Sequence, residues 1–344
     1  MEILNCIYEC DFKGFSYGFR PGRSAHQALQ SLQTVLQKGR VNWVLDMDIS
    51  KFFDTIDHKE LMSIIERRVK DSHLLRVIGK WLSTGAVERD GRRIGAKQGT
   101  PQGGVISPLL GNIFLHEVVD SFVHEWRTTE AKGEVYIVRY ADDVVIAFEH
   151  EEDARRLLDL LDARLREYGL TLNRDKTQLV RFGRRWTGQD GRPKSETFDF
   201  LGLTHIAGKS RNGRYLVKRK TSRKRLNRSL KAISEWCKRF RHAPLKWQRA
   251  KLSLKLRGHY NYYGVRGNYL ALSAYWHKVQ RIWLKALMGR SQKVCKKRLY
   301  WLIDHEFALP PPHITHPEGW LGLSPGYLLG RVRRAAKKAA RPVL

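Results

Sequence analysis

The sequence predicts an α+β domain, with helices packed on one face of an antiparallel sheet, followed by an all-α domain. Three observations predict it. Two β-prone runs, Val135 to Val138 and Val144 to Phe148, flank Tyr140, Ala141, Asp142 and Asp143, and read as a hairpin with two carboxylates at its turn. Apolar residues elsewhere recur at helical spacing, as in Leu61, Ile64, Ile65 and Val69, or Ala154, Leu157, Leu161 and Leu165. The charge is sharply divided: residues 1–200 hold 30 Lys/Arg and 30 Asp/Glu, residues 201–344 hold 34 and 4, and the whole excess of +30 lies in the second part.

A chain of 344 residues, 42% hydrophobic, can bury two or three domain cores. No apolar run reaches the roughly 18 residues of a membrane helix, and the first 15 residues lack a basic start followed by an apolar stretch, so a cytoplasmic protein is expected. Cys6, Cys10, Cys237 and Cys295 form no CxxC pair and are expected to be reduced and structural. The basic second part, with Trp and Tyr interleaved through helical segments, predicts a polyanion partner. Nucleic acid fits better than an anionic membrane, which would select a single basic amphipathic face.

Taken in order, Gly18, Pro21 and Gly22 mark a loop, Ser24 is an N-cap, and Ala28, Leu29, Leu32, Val35 and Leu36 continue as a helix. Arg20 and Arg23 beside that helix start are either a phosphate-binding pair or two surface arginines of a turn. Trp43, Val44 and Leu45 begin a strand carrying Asp46 and Asp48 at period two, an unfavourable place for acids unless something holds them. Helices follow over about His58 to Lys70 and Leu74 to Leu82. Residues 95–112 are rich in Gly and Pro, let backbone approach a ligand closely, and lead into an apolar helix from Leu109 to Val123. Next comes the hairpin. Its paired acids repel one another, so either a divalent cation holds them or they form an ordinary solvated turn. A helix from Glu151 to Tyr168 stops at Gly169, a strand runs from Gln178 to Phe182, and Phe198 to Leu203 resumes as a strand.

In the basic part, Leu226, Leu230, Ile233, Cys237 and Phe240 predict a helix from Arg223 to Arg241. Further helices are expected over Leu245 to Tyr263, Tyr269 to Met288 and Ser291 to His305. Pro310 to Pro312 close the domain, and the last stretch is a basic tail or short helix, expected to order only on nucleic acid. His305, His313 and His316 lie around the triple proline without the helical spacing of a metal site.

These motifs, in this order, resemble those of the reverse transcriptases encoded by group II introns and their close bacterial relatives, over nearly all of Phe15 to about His316. Tyr140 to Asp143 are similar to the family's catalytic box, Asp48 to Phe53 to its first aspartate motif, and Gln98 to Asn112 to its template and nucleotide loop. Gly169 to Lys176 resemble the motif after the palm helix, Phe198 to Gly202 the primer grip, and Arg223 to about Asn268 the helical thumb. The resemblance implies a right-hand polymerase: partial fingers and palm over 1–205, a connection over 206–222, a helical thumb and maturase-type RNA-binding domain over 223–316, and a basic tail over 317–344.

For the site it implies two Mg²⁺ ions, with Mn²⁺ as a substitute, on Asp48, Asp142 and Asp143, because carboxylate oxygens suit such hard cations. Asp46 is read as structural. Lys176 would protonate the leaving pyrophosphate, or is a surface lysine. Phe53 would exclude a 2′-hydroxyl, or is an ordinary core residue. Gln102 and Gly103 would face nucleotide and template, with Arg20 or Arg23 near the triphosphate. Leu201 and Gly202 would form the primer grip, and Arg223, Lys224, Arg225, Arg228 and Lys231 would bind RNA. The implied partners are an RNA template, intron RNA in the first instance, a DNA primer and deoxynucleoside triphosphates. The family's finger hairpin has no counterpart after Met1, which admits a second reading as a catalytically weak or inactive RNA-binding maturase. The family's Cys/His-rich endonuclease region has no counterpart either, and DNA cleavage is not expected. An RNA-templated RNA polymerase would share the metal site.

Overall fold

The computed structural model describes residues 1–316 except 84–85, 88–92, 95–97, 101–103, 187–192, 211 and 291–294, and only the backbone of 86–87 and 93–94. The chain divides into two compact units, one over Met1–Glu196 and one beginning at Thr197.

In the first unit the elements are α1 (Glu2–Glu9), α2 (Ala25–Lys38), β1 (Trp43–Met47), α3 (Phe52–Thr55), α4 (His58–Arg68) and α5 (Ser72–Ser83), then the short pair β2 (Ala86–Val87) and β3 (Arg93–Ile94). They continue with α6 (Ser107–Leu115), a π-helical turn (His116–Ser121), α7 (Phe122–Thr129), β4 (Val135–Tyr140), β5 (Asp143–Phe148), α8 (Glu151–Glu167) and β6 (Gln178–Arg181). Ser24 caps α2 as expected, accepting from the Gln27 amide while the Gln27 side chain accepts from the Ser24 amide. Asp57 does the same for α4, accepting from the amides of Lys59 and Glu60.

The strands form an antiparallel sheet in the order β4-β5-β1-β6. Its one face carries Leu45, Met47, Ile137, Val144, Ile146 and Phe148 into a core shared with Leu110 and Phe114 of α6 and Leu157, Leu161 and Leu165 of α8. Helix α2 packs on β4 from the other side, where Gly39 sits against the Tyr136 ring, and so adds a second helical layer to the one the sequence predicts. Coverage on both faces is why these strands read as continuous apolar runs rather than as alternating ones.

The second unit opens with β7 (Thr197–Phe200), β8 (Leu203–Lys209) and β9 (Tyr215–Thr221), an antiparallel sheet in that order. Residues 206–222, expected as a connection, therefore supply most of two paired strands ahead of the helical part. Four helices follow: α9 (Arg223–Arg239), α10 (Leu245–Tyr263), α11 (Tyr269–Met288) and α12 (Lys296–Trp301), the last running into a π-helical turn (Leu302–Glu306). The expected start of the last helix at Ser291 falls outside the described residues. Ile233, Cys237, Leu252, Leu256, Tyr260, Tyr275, Val279 and Trp283 form the helical core. Cys237 is buried there, whereas Cys6, Cys10 and Cys295 are exposed; all four are free. No described helix is long and apolar enough to cross a membrane.

Two buried histidines are expected to make this unit acid-sensitive. His205 of β8 is fully buried, stacked on Phe198 at 4.9 Å, and burial, reinforced by the Arg219 charge, pushes its pKa down to about 3. His259 of α10 stacks on Tyr275 at 3.8 Å, and burial lowers it to about 4. Both are held neutral in the folded chain. Below the ordinary histidine value of about 6.5 the unfolded chain takes up protons that the folded one cannot, so stability is lost as pH falls from there toward those depressed values. The thermal midpoint should drop between pH 6.5 and 4. The double substitution His205→Phe with His259→Phe should flatten that slope, as followed by circular dichroism; a slope identical to the parent's would assign the acid sensitivity elsewhere.

Candidate active site

The register of the central strands decides where the acids meet. Met47 pairs with Val144 and Tyr140 with Asp143, so the residue after β1, Asp48, reaches the turn end of the β4–β5 hairpin, where Ala141 and Asp142 form the two-residue loop. Asp48 and Asp142 line one cavity of about 570 Å³ together with Phe53, Lys176, Phe19, Lys51, Thr100, Ser107 and Pro108. The segment after α8 grips Asp48. The Asn173 amide donates to the Asp48 carbonyl at 2.9 Å, Asn173 Nδ2 and Lys176 Nζ reach Asp48 Oδ2 at 2.9 and 3.1 Å, and Thr177 Oγ1 accepts from the Asp48 amide at 3.3 Å.

Burial holds the Asp142 carboxyl above the usual carboxylate range, the Asp48 charge adding to the shift while a backbone hydrogen bond, Arg139 and Lys176 oppose it. Two carboxylates placed so that one resists ionisation are poised for a cation that would relieve both. Among the described residues no group of three His, Cys, Asp or Glu side chains is gathered closely enough to hold a metal alone.

A buried polar network braces the turn. Arg139 of β4 is wholly buried; its Nε and Nη2 donate to Asp120 Oδ1 and Oδ2 at 2.7 and 2.6 Å, and its Nη1 donates to Asn112 Oδ1 at 2.8 Å and to the Ala141 carbonyl at 3.0 Å. Asn112 Nδ2 donates onward to the Gly18 carbonyl at 2.6 Å. Burial favours the neutral acid, but Arg139 beside Asp120 keeps its carboxyl below the usual range. Gly18 in turn lies flat on the β4–β5 turn, leaving no room for a Cβ against the Ala141 nitrogen.

Of the residues singled out from sequence, Asp48, Asp142, Phe53 and Lys176 share the cavity. The Phe53 ring packs edge-on against Phe52 at 5.0 Å and over Gly111, leaving it half-buried. Asp143 is exposed at the start of β5 and is not among the cavity-lining residues. Gln102 and Gly103 lie outside the described residues. Arg20 is not available to a phosphate: it is buried, its Nε donates to the Glu9 carboxylate at 3.1 Å, and its Nη1 donates to the carbonyls of Lys13 and Ser16 at 2.7 and 2.8 Å. Its charge is spent on holding the N-terminal loop. Arg23 lies 5.5 Å from the Tyr17 ring centre, away from the cavity. In the second unit, Leu201 and Gly202 are the β7–β8 turn, both at positive φ (49° and 77°), with the Leu201 carbonyl accepting from Tyr262 Oη at 3.0 Å. Arg223, Lys224, Arg225, Arg228 and Lys231 are exposed along the first turns of α9, which Ser222 caps.

Sequence reasoning gave no role to Arg139, Asp120 or Phe19, and placed Asn112, Asn173 and Lys51 only within longer motifs, without the contacts they make here. One signal was available: Asp120 lies in the largely apolar stretch from Leu109 to Val123, where a buried acid calls for a cationic partner.

Residues 1–205 match the family model for reverse transcriptase (RNA-dependent DNA polymerase). Protein YkfC of Escherichia coli is 33% identical over 251 residues, 63% of this chain and 61% of that protein. Group II intron-encoded protein LtrA of Lactococcus lactis is 43% identical over 121 residues, 35% of this chain and 20% of that protein. Among solved structures, apo telomerase from Candida tropicalis aligns at a TM-score of 0.48 and 14% identity over 89% of this chain and 52% of that one. The chain thus spans less than two thirds of the curated relatives it matches. With a family match over more than half its length, and relatives that include a group II intron-encoded protein, the chain belongs to the reverse transcriptase (RNA-dependent DNA polymerase) family.

Proposed function

We propose that this chain is an RNA-directed DNA polymerase of the group II intron type, acting in the cytoplasm on an RNA template, a DNA primer and deoxynucleoside triphosphates. The observation that carries the proposal is the convergence of Asp48, just after β1, and Asp142, in the β4–β5 loop, on one cavity with Lys176 bonded to Asp48. Asp48 and Asp142, with Asp143 beside them, would hold two Mg²⁺ ions, for which Mn²⁺ substitutes. Such ions supply Lewis acidity at the primer 3′-hydroxyl and neutralise triphosphate charge. The hard oxygen donors and the raised Asp142 pKa fit that role. In the reaction the primer 3′-hydroxyl would lose its proton to solvent as its oxygen bonds to the α-phosphorus, the α–β phosphoanhydride bond would break, and Lys176 would give a proton to the departing pyrophosphate. The exposed basic row on α9 would take RNA phosphates, with affinity falling steeply as salt rises.

Primer extension on poly(rA)/oligo(dT) with dTTP and Mg²⁺ tests the reading. RNA binding without synthesis at any nucleotide concentration would instead make the chain an RNA-binding maturase. Phe53 is read as the sugar gate, since it is half-buried yet lines the cavity. Phe53→Ala should raise ribonucleotide incorporation about tenfold to a hundredfold relative to deoxynucleotide, one steric clash being worth 1 to 3 kcal/mol. An unaltered ratio would leave Phe53 as packing only.

A further inference from the structure

Lys51 is locally a poor residue for its place. Its backbone is left-handed (φ 46°), a region that favours Gly and Asn, and it stands at the N-cap of α3 without a side-chain cap. The conformation is pinned rather than loose: the Lys51 carbonyl accepts from the Asp54 amide at 2.8 Å and from Thr55 Oγ1 at 3.2 Å. What the lysine contributes is an exposed ammonium on a cavity-lining residue, and that ammonium makes no hydrogen bond or ion pair with any described residue. The other lysine of the cavity, Lys176, is engaged by Asp48. Strained backbone gathers here: of the four described non-glycine residues at positive φ, Phe19 and Lys51 line the cavity and Ala141 precedes Asp142. Such outliers persist where the surroundings over-determine them, and they concentrate at ligand sites.

We propose that Lys51 binds the polyphosphate of the incoming nucleotide, an inference that rests on the polymerase reading above. A nucleoside triphosphate brings more negative charge than metal ions alone neutralise, and a cation that no described residue engages, beside Asp48 and Asp142, is placed to take the remainder. The competing role is that of a counter-charge for the carboxylates of Asp48, Asp54 and Asp142, which also line the cavity.

Lys51→Asn separates the two, because asparagine suits both the left-handed backbone and the N-cap while removing the cation. With poly(rA)/oligo(dT), the variant should raise the KM for dTTP about tenfold to a hundredfold, leave kcat within about threefold, and keep a thermal midpoint at or above the parent's. Lys51→Arg should restore most of the nucleotide affinity. An unchanged KM in a parent that extends primers would overturn the inference, as would a lowered midpoint with unchanged KM, the mark of a counter-charge. If the parent extends no primer, the midpoint shift caused by dTTP with Mg²⁺ decides. A shift reduced in Lys51→Asn upholds Lys51 while the polymerase reading falls; equal shifts in both proteins, or none, overturn the inference itself.

Discussion

Asp142→Asn should abolish RNA-templated extension and, in the absence of divalent metal, make the protein more stable near neutral pH. The first effect follows from removing one of the carboxylate charges that line the cavity while keeping its shape. Metal-assisted charge stabilisation is worth several kcal/mol, and each ~1.4 kcal/mol is tenfold in rate, so the loss should be at least about 10³-fold. The second effect follows from the raised Asp142 pKa. A carboxyl that ionises less readily in the folded chain than in the unfolded one costs stability as pH rises above its ordinary value, and the cost is in full force once pH exceeds the raised folded value. Asparagine removes that cost. Calorimetry in chelator should show a higher midpoint for the variant, and Mg²⁺ should raise the parent's midpoint more than the variant's. Extension within tenfold of the parent, or a variant less stable in chelator, would contradict the assignment of Asp142 as a cation-holding acid.

The parts of the fold that local pattern determines were legible. The hairpin was readable because two β-prone runs enclose four residues, and the two longest helices of the second unit start and stop where Pro244, Gly264, Asn268 and Gly289 dictate. Strands β8 and β9 were not readable, because the inward positions of β9 include Arg219 among Val217 and Thr221, and those of β8 include His205. Burying a guanidinium and an imidazole defeats a reading based on apolar alternation. The site was legible in its acids, since carboxylates in strands are costly without a partner. It was not legible in what positions them. Arg20 looked like a phosphate ligand because its partner, Glu9, sits eleven residues away on α1, and the side chain's direction is set by that pairing rather than by the adjacent helix start. Arg139 and Asp120 likewise meet across nineteen residues, through packing alone.

That pair yields the other large expected effect. Asp120→Ala leaves the wholly buried Arg139 guanidinium without its bidentate partner, and an uncompensated buried charge costs about 3 to 5 kcal/mol. Chemical denaturation should show a loss of that size, with extension falling in step. Stability alone does not reveal whether the network also positions the β4–β5 turn and Asp142, so the informative variant is Asp120→Leu combined with Arg139→Met. An apolar pair of similar volume should recover most of the lost stability, since buried ion pairs are commonly replaceable by well-packed hydrophobic residues. It cannot replace the donor that Arg139 Nη1 gives to the Ala141 carbonyl, nor the link through Asn112 to Gly18, whose backbone lies against the Ala141 nitrogen. The double variant should therefore fold with nearly parental stability, extend primers at least about tenfold more slowly, and need more Mg²⁺ for half-maximal rate, because Asp142 follows directly on Ala141. A stable double variant with parental rate and parental Mg²⁺ dependence would show that Arg139 and Asp120 hold the core together and leave the geometry of the Ala141–Asp142 turn to the β4–β5 hairpin itself.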